Sequence, residues 1–360
     1  MHADSVVLKF LDAVDADLAA GVLRNVEDYV ATFPGHDGLI RAEYARLRGC
    51  GAASTSARIG DRYDVIESLG RGGFGEVFLA EDSVLKRRVA IKLLSGMRAL
   101  SKEWRMRLVR EAEATNRIDD SVICPVHDVA FENGCPYLVM PWIAGKSLDR
   151  HLAAAAASGE GPIALSNAGT HRQRRDETLL LVERLARGLQ TAHAAGVVHR
   201  DVKPANVIVR PDGRPVLIDF GIAWLASGED VTRSLALGTP AYSPPEVLRG
   251  GLVAPDPRLD IWSLGVVLFE CLTLRRPFVA RPDASLERTL LDEPLPQLGR
   301  AFGRDLQAVL ETALARRSND RYATMSAFAD DLERVRRGEP VGVRAAGPLR
   351  RLWGWARARP

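Results

Sequence analysis

The chain has 360 residues, 46% of them hydrophobic and 26% charged, which is the balance of a soluble globular protein with one large or two modest cores. A formal net charge of only +3 gives no global case for nucleic acid, and none is expected as a partner. The four cysteines (Cys50, Cys124, Cys135 and Cys271) are far apart and lack metal-ligand spacing, so scattered buried thiols are expected rather than a disulfide framework.

In chain order, residues 4–48 carry helical spacing. Val7, Leu11, Val14 and Leu18 make one apolar stripe, and Val26, Tyr29, Val30 and Phe33 make a second. Pro34-Gly35 breaks the pattern; Leu39, Ile40, Tyr44 and Leu47 resume it behind Asp37, a residue suited to cap a helix. A helical module is therefore expected over 1–50 and a Gly/Ala/Ser-rich linker over 51–60. The period then shortens to that of strands over Tyr63 to Leu69, Glu76 to Ala80 and Arg88 to Leu93. A helix is expected from Ser101 to about Ile118, followed by strands over Val126 to Phe131 and Tyr137 to Met140. Beyond Ser147 the pattern is mainly helical, over 148–157, 178–195, 261–272, 304–315 and 325–336. The polar stretch Ala157 to Asp176 reads as a mobile insert. The fold class is α+β, a small sheet-rich half before a larger helical half.

No basic-then-apolar leader and no run of eighteen apolar residues is present, so a cytoplasmic protein is expected. From Arg334 onward there are eight Arg and one acid, Glu339, which makes a basic tail. Its Arg350-Arg351-Leu352-Trp353-Gly354-Trp355-Ala356-Arg357 could rest weakly on an anionic membrane surface, or be a solvated tail.

Several stretches carry chemistry. Gly70-Arg71-Gly72-Gly73-Phe74-Gly75-Glu76-Val77 joins the first two strands; alone it is a weak signal that a glycine-rich hairpin would equally produce. Strand on both sides argues against a dinucleotide fold, which needs a helix after the glycines. Val89-Ala90-Ile91-Lys92 lies on the third strand, where a lysine ordinarily just marks the wet face. The chain has only six Lys, the other cations being Arg, which makes Lys92 and Lys203 stand out. Val198-His199-Arg200-Asp201-Val202-Lys203-Pro204-Ala205-Asn206 sets an acid, a cation and a side-chain amide within six positions on a loop entering an apolar strand. Leu217-Ile218-Asp219-Phe220-Gly221 ends an apolar run on a further acid. Gly238-Thr239-Pro240-Ala241-Tyr242-Ser243-Pro244-Pro245-Glu246, Asp260-Ile261-Trp262-Ser263-Leu264-Gly265 and Asp320-Arg321-Tyr322 follow.

In this order the motifs resemble the bacterial eukaryotic-like (Hanks-type) Ser/Thr protein kinases, over about Arg62 to Arg336. The resemblance implies a two-lobed kinase domain over 61–338, with an N-lobe to 141 and a C-lobe from 142, and a tail over 339–360. It implies ATP with Mg²⁺, or Mn²⁺ in its place. ATP would lie among Gly70, Arg71, Gly72, Gly73, Phe74, Gly75, Val77, Ala90, Lys92, Met140, Pro141, Ile143 and Ile208. Lys92, paired with Glu111 of the following helix, would hold the phosphates; Glu113, two positions on, points to another face. Asn206 and Asp219 would hold metal, Asp201 would accept the substrate hydroxyl proton, and Lys203 would neutralise the γ-phosphate. The Lys203-Pro204 pair resembles the Ser/Thr-directed members. Arg200 beside Asp201 resembles the class ordered by an activation-loop phosphate, with Thr232 and Ser234 as the expected acceptors. Thr239 is expected to contact Asp201. Asp260 would anchor the catalytic loop, and Glu246 would form a buried ion pair with Arg321. The implied partners are protein substrates and a second copy of the chain for autophosphorylation in trans.

Three positions depart from the family pattern: Pro244 stands for the usual Ala, Pro141 follows the gatekeeper Met140, and Thr115 occupies an apolar spine position one turn after Glu111. Two other readings stay open: a pseudokinase acting as an ATP-binding scaffold, which would lack Lys92, Asp201, Asn206 or Asp219, and a small-molecule kinase, which would lack the Gly238 to Glu246 segment and its Arg321.

Overall fold

The computed structural model describes residues 6–7, 9–10, 13–14, 17, 24–52, 58–72, 75–94, 102–132, 135–158, 161–165, 169–220, 240–249, 255–279 and 286–343. The chain divides into two compact units, Met1–Arg110 with Val126–Trp142, and Glu111–Pro125 with Ile143–Pro360.

The first unit opens with helices. α1 (Val26–Thr32) starts on a capping box, in which the Asn25 side chain and the Asp28 side chain each bond the other's backbone N–H. α2 runs over Asp37–Ala52, past Gly49 and two residues into the expected linker. The buried face runs through Val6, Phe10 and Val14 to Tyr29, Ile40 and Tyr44; of the expected stripe, Val14 is buried in this core and Val7 packs half-buried against it. The Phe10 ring meets Tyr29 edge-on at 5.4 Å. Leu11 and Leu18 lie outside the described residues.

The sheet of this unit contains β1 (Arg58–Ile59), β2 (Tyr63–Gly72), β3 (Gly75–Asp82), β4 (Arg87–Leu94), β5 (Asp128–Glu132) and β6 (Cys135–Pro141), in the order β1-β2-β3-β4-β6-β5 with every pair antiparallel. Alternation sends Phe78, Ala80, Val89, Ile91, Leu93, Tyr137 and Val139 into one apolar layer. Cys135 is disulfide-bonded, whereas Cys124 and Cys271 are free and buried. This corrects the expectation of scattered thiols: pairing depends on proximity in the fold, which sequence separation does not reveal. Helix α3 (Lys102–Asn116) follows β4, and the division between the units falls within it.

The second unit contains a small sheet, β7 (Lys146–Ser147), β8 (Val207–Val209) and β9 (Pro215–Leu217), in that order. Around it lie α4 (Leu148–Ser158), α5 (His171–Ala194), α6 (Pro245–Leu248), α7 (Arg258–Thr273), α8 (Leu286–Asp292), α9 (Arg304–Ala313) and α10 (Met325–Arg337). α5 starts seven residues earlier than expected, so the His-Arg-Gln-Arg-Arg run belongs to its first turns and not to a loose insert. The missed signal is a capping box, Thr170 with Gln173 three residues on. α7 is buried on nearly every face and packs with α5, α9 and α10 around Leu185, Leu264, Val309 and Phe328. After Gly338 the chain turns back, and Val341 and Val343 pack on this core.

Candidate active site

In the sheet unit, register decides which side chains share a face. Val77 pairs with Lys92, Lys92 with Leu138, and Ala90 with Met140, so Val77, Ala90, Lys92 and Met140 lie on the face opposite the Ile91 layer. Lys92 is 7% exposed. β2 and β3 extend into the glycine motif through Gly70, Arg71, Gly72 and Gly75; Gly73 and Phe74 lie outside the described residues. Gly75 has φ +138, and a Cβ there would meet the Leu93 carbonyl oxygen at 1.8 Å, so no other residue fits without moving the strand. Pro141 ends β6 where its missing N–H interrupts no ladder inside the sheet.

In the helical unit, the β8–β9 hairpin sets the spacing of the polar groups. Val207 pairs with Leu217, and the Ile218 N–H donates to the Asn206 carbonyl at 2.9 Å, so Asn206 and Asp219 leave the same end of the hairpin. Asn206 is 6% exposed; its amide nitrogen donates to the Asp201 carbonyl at 2.9 Å and to Asp201 Oδ2 at 3.0 Å. Lys203 Nζ reaches the same Oδ2 at 2.8 Å. His199 spans the site, with Nε2 3.0 Å from the Ile218 carbonyl and Nδ1 accepting the Asp201 N–H at 3.2 Å, which places the ring proton on Nε2. Its ring meets Phe220 at 4.4 Å. Arg200 and Asp219 both adopt φ +66, the left-handed region that a fold must hold in place for non-glycine residues.

These groups suit a hard cation. The bonds from the Asn206 nitrogen fix the amide and leave its oxygen for another partner, and Asp219 adds a carboxylate. Among the described residues no cluster of three or more His, Cys, Asp or Glu could hold a metal alone. The donor set therefore fits a Mg²⁺ that brings phosphate oxygens and water with it, as that ion commonly does.

Asp260 lies under the loop at 0% exposure and accepts the N–H groups of His199 (2.9 Å) and Arg200 (2.7 Å). Burial pulls the Arg200 guanidinium below its ordinary range, opposed by the charges of Glu111 and Asp260. Glu111 is half-buried and Glu113 is exposed, in line with their different helix faces. Lys92 and Glu111 belong to different units, so their pairing stays an expectation. Arg321 forks onto Glu246 at 2.7 and 2.8 Å with its side chain fully buried, and its guanidinium lies 4.9 Å from the Trp262 ring centroid. Pro244 caps α6, with its carbonyl accepting the Val247 N–H. Ile208 pairs with Ser147 and Val216 in the small sheet, and Ile143 precedes that sheet in the same unit. Thr232, Ser234, Thr239 and the Arg350 to Arg357 tail lie outside the described residues. Sequence reasoning missed His193, whose Nε2 is 2.8 Å from Asp260 Oδ2. A lone histidine 67 positions from its partner carries no local signal.

The comparisons with known proteins agree with this geometry. Residues 63–332 match the model of the protein kinase domain. The chain is 35% identical over 297 residues to the serine/threonine-protein kinase PknB of Mycobacterium tuberculosis, covering 80% of this chain and 45% of that protein. It is 33% identical over 287 residues to PknK of the same species, covering 78% and 24%. It thus spans less than half the length of these relatives. The crystal structure of the M. tuberculosis PknI kinase domain superposes with a TM-score of 0.58 at 28% identity, over 77% of this chain and 96% of that one. No helix among the described residues is long and apolar enough to cross a membrane. With a β-rich unit before a helical one, and the motif residues set as above, the chain belongs to the protein kinase family.

Proposed function

We propose that this protein is an ATP- and Mg²⁺-dependent protein kinase that phosphorylates Ser and Thr hydroxyls, itself included. The observation that carries the reading is the convergence on Asp201: one carboxylate oxygen takes both Lys203 and Asn206, beside a hairpin end that also delivers Asp219. The other Asp201 oxygen is left to orient the acceptor hydroxyl and take its proton. Lys203, 2.8 Å from Asp201, would face the transferring γ-phosphoryl group, and its charge would offset the phosphate. Asn206 and Asp219 would hold Mg²⁺, which when bound neutralises phosphate charge. Lys92 would grip the α- and β-phosphates, and the face of Val77, Ala90 and Met140 would take the adenine with the backbone of Pro141. Arg200 is the candidate to receive a phosphate from Thr232 or Ser234. The relatives' names support the Ser/Thr preference.

The test is to incubate the purified chain and its Asp201→Asn variant with Mg²⁺ and labelled ATP, with a generic basic protein as acceptor, and to map the phosphosites by mass spectrometry. Phosphoserine or phosphothreonine with the parent chain and a loss of roughly a hundredfold or more in the variant are expected. ATP binding with no phosphate transferred by the parent chain would overturn the reading and favour a scaffold.

A further inference from the structure

The two arms of the glycine motif carry a side-chain cluster that the reading above does not use. Glu76 Oε1 accepts the Ser68 hydroxyl at 2.8 Å, and Oε2 accepts the Arg71 guanidinium, at 3.3 Å from Nε and 2.8 Å from Nη2. The Arg71 side chain is 72% exposed, but that of Glu76 is only 17% exposed. The bond from Arg71 holds the Glu76 carboxyl below its ordinary range, with burial opposing it and the Ser68 hydroxyl assisting.

Sheet register brings these three side chains together. Ser68 pairs with Phe78 and Gly70 with Val77, so Leu69 is an extra residue on β2. In a regular strand, residues three apart point to opposite faces. The bulge cancels that rule: Ser68 stands opposite Phe78, and Arg71 stands opposite Glu76, two residues before Phe78 on β3. All four side chains therefore lie on the Phe78 side of the sheet, away from the face that Val77 shares with Lys92. Beyond the bulge the described arms make three pairs, Gly70–Val77, Arg71–Glu76 and Gly72–Gly75, and two of the three contain glycine. A glycine-rich ladder specifies its register weakly, and a slip of one residue turns a whole arm over. Glu76 opposes the slip, because its two oxygens hold Ser68 before the bulge and Arg71 after it.

We propose that Glu76 is a positioning residue for ATP, pinning the register of the glycine motif across the Leu69 bulge from the sheet face opposite Val77 and Lys92. The proposal rests on the kinase reading above, and its test has a readout that does not.

In the full chain, Glu76→Ala removes both bonds, Ser68→Ala removes one, and Arg71→Glu sets a like charge against Glu76. The double variant Arg71→Glu with Glu76→Arg restores an ion pair in the reverse sense. KM for ATP and kcat are measured, and NMR follows the cross-strand proton contacts between residues 70–72 and 75–77. In Glu76→Ala and Arg71→Glu these contacts are expected to weaken while those between β3 and β4 persist. KM for ATP should rise about fivefold in both, with kcat within about twofold of the parent, and by about twofold in Ser68→Ala. The double variant should recover most of the loss, as a pairwise interaction requires. Unchanged cross-strand contacts or a parent-like KM in Glu76→Ala would overturn the proposal. So would a double variant no better than Arg71→Glu alone, or a loss confined to kcat. A parent chain that transfers no phosphate would overturn the kinase reading instead, and the contacts between the arms would still decide whether Glu76 pins them.

Discussion

Two helices of the helical unit each commit one buried carboxylate to a segment with no regular structure of its own. Asp260 of α7 takes the N–H groups of His199 and Arg200; Asp331 of α10 takes those of Gly342 and Val343, at 2.7 and 3.3 Å. The remaining partners differ. Asp331 also accepts the Tyr322 hydroxyl at 3.0 Å and Arg334 at 2.6 Å, an arginine three residues on in the same helix and 41% exposed. Asp260 takes its third bond from a buried histidine on another helix. What the held segments lead to also differs. Behind Asp260 the next residue is Asp201; behind Asp331 stand Val341 and Val343, which only close the core. One physical device, an acid collecting backbone N–H groups, thus serves geometry in one place and stability in the other.

The largest expected effect breaks the first tie. Asp260→Asn keeps the shape but cannot accept from all three donors, and kcat should fall by at least about a hundredfold, with about 3 kcal/mol of stability lost. Steady-state kinetics beside chemical denaturation separates the two. The pH dependence follows from the direction of the Asp260 shift. Its folded value lies below the ordinary 3.8, so the tie is present above that pH and fades only as pH falls through the lower folded value. Activity near neutral pH should therefore show no limb from this group. Asp331→Asn is expected to be smaller and different in kind: about 2 kcal/mol of stability, with kcat of the folded protein unchanged. A kcat loss in folded Asp331→Asn matching that of Asp260→Asn would erase the distinction.

How far this contrast was legible in the sequence depends on how local each signal is. Asp201, Lys203, Asn206 and Asp219 stand in short motifs; Lys203 and Asn206 meet on Asp201, and Asp219 follows at the same end of the hairpin as Asn206. The face of Val77, Ala90 and Met140 follows from strand alternation. Asp260 lay in a recognisable motif, but its partner His193 is 67 positions away on a helix where one more histidine looks ordinary. Asp331 and its strap gave no signal, because two acids in Asp330-Asp331 read alike until the fold buries one of them. The helical start at His171 was missed since five polar residues outweighed the Thr170–Gln173 box. The sheet's disulfide-bonded Cys135 was missed because its environment is three-dimensional.

Thr115 offers the smallest effect and the sharpest control. It is a buried polar side chain, 2% exposed, where the family pattern favours an apolar residue. If burial of a polar group were itself what matters at Asp260 and Asp331, Thr115 should matter too. Its hydroxyl, however, donates at 2.8 Å to the Glu111 carbonyl one turn back, within the same helix. Such a bond ties no distant segment and tends slightly to loosen the helix it sits in. Thr115→Val keeps the shape, removes the donor and leaves that carbonyl its place in the helix, so stability should change by less than about 1 kcal/mol, with kcat equal to or above that of the parent. Thermal melts and initial rates on the same preparations decide it. A loss approaching that of Asp331→Asn would mean that local polar burial, and not the collection of backbone N–H groups from elsewhere in the chain, sets the energetics of this unit.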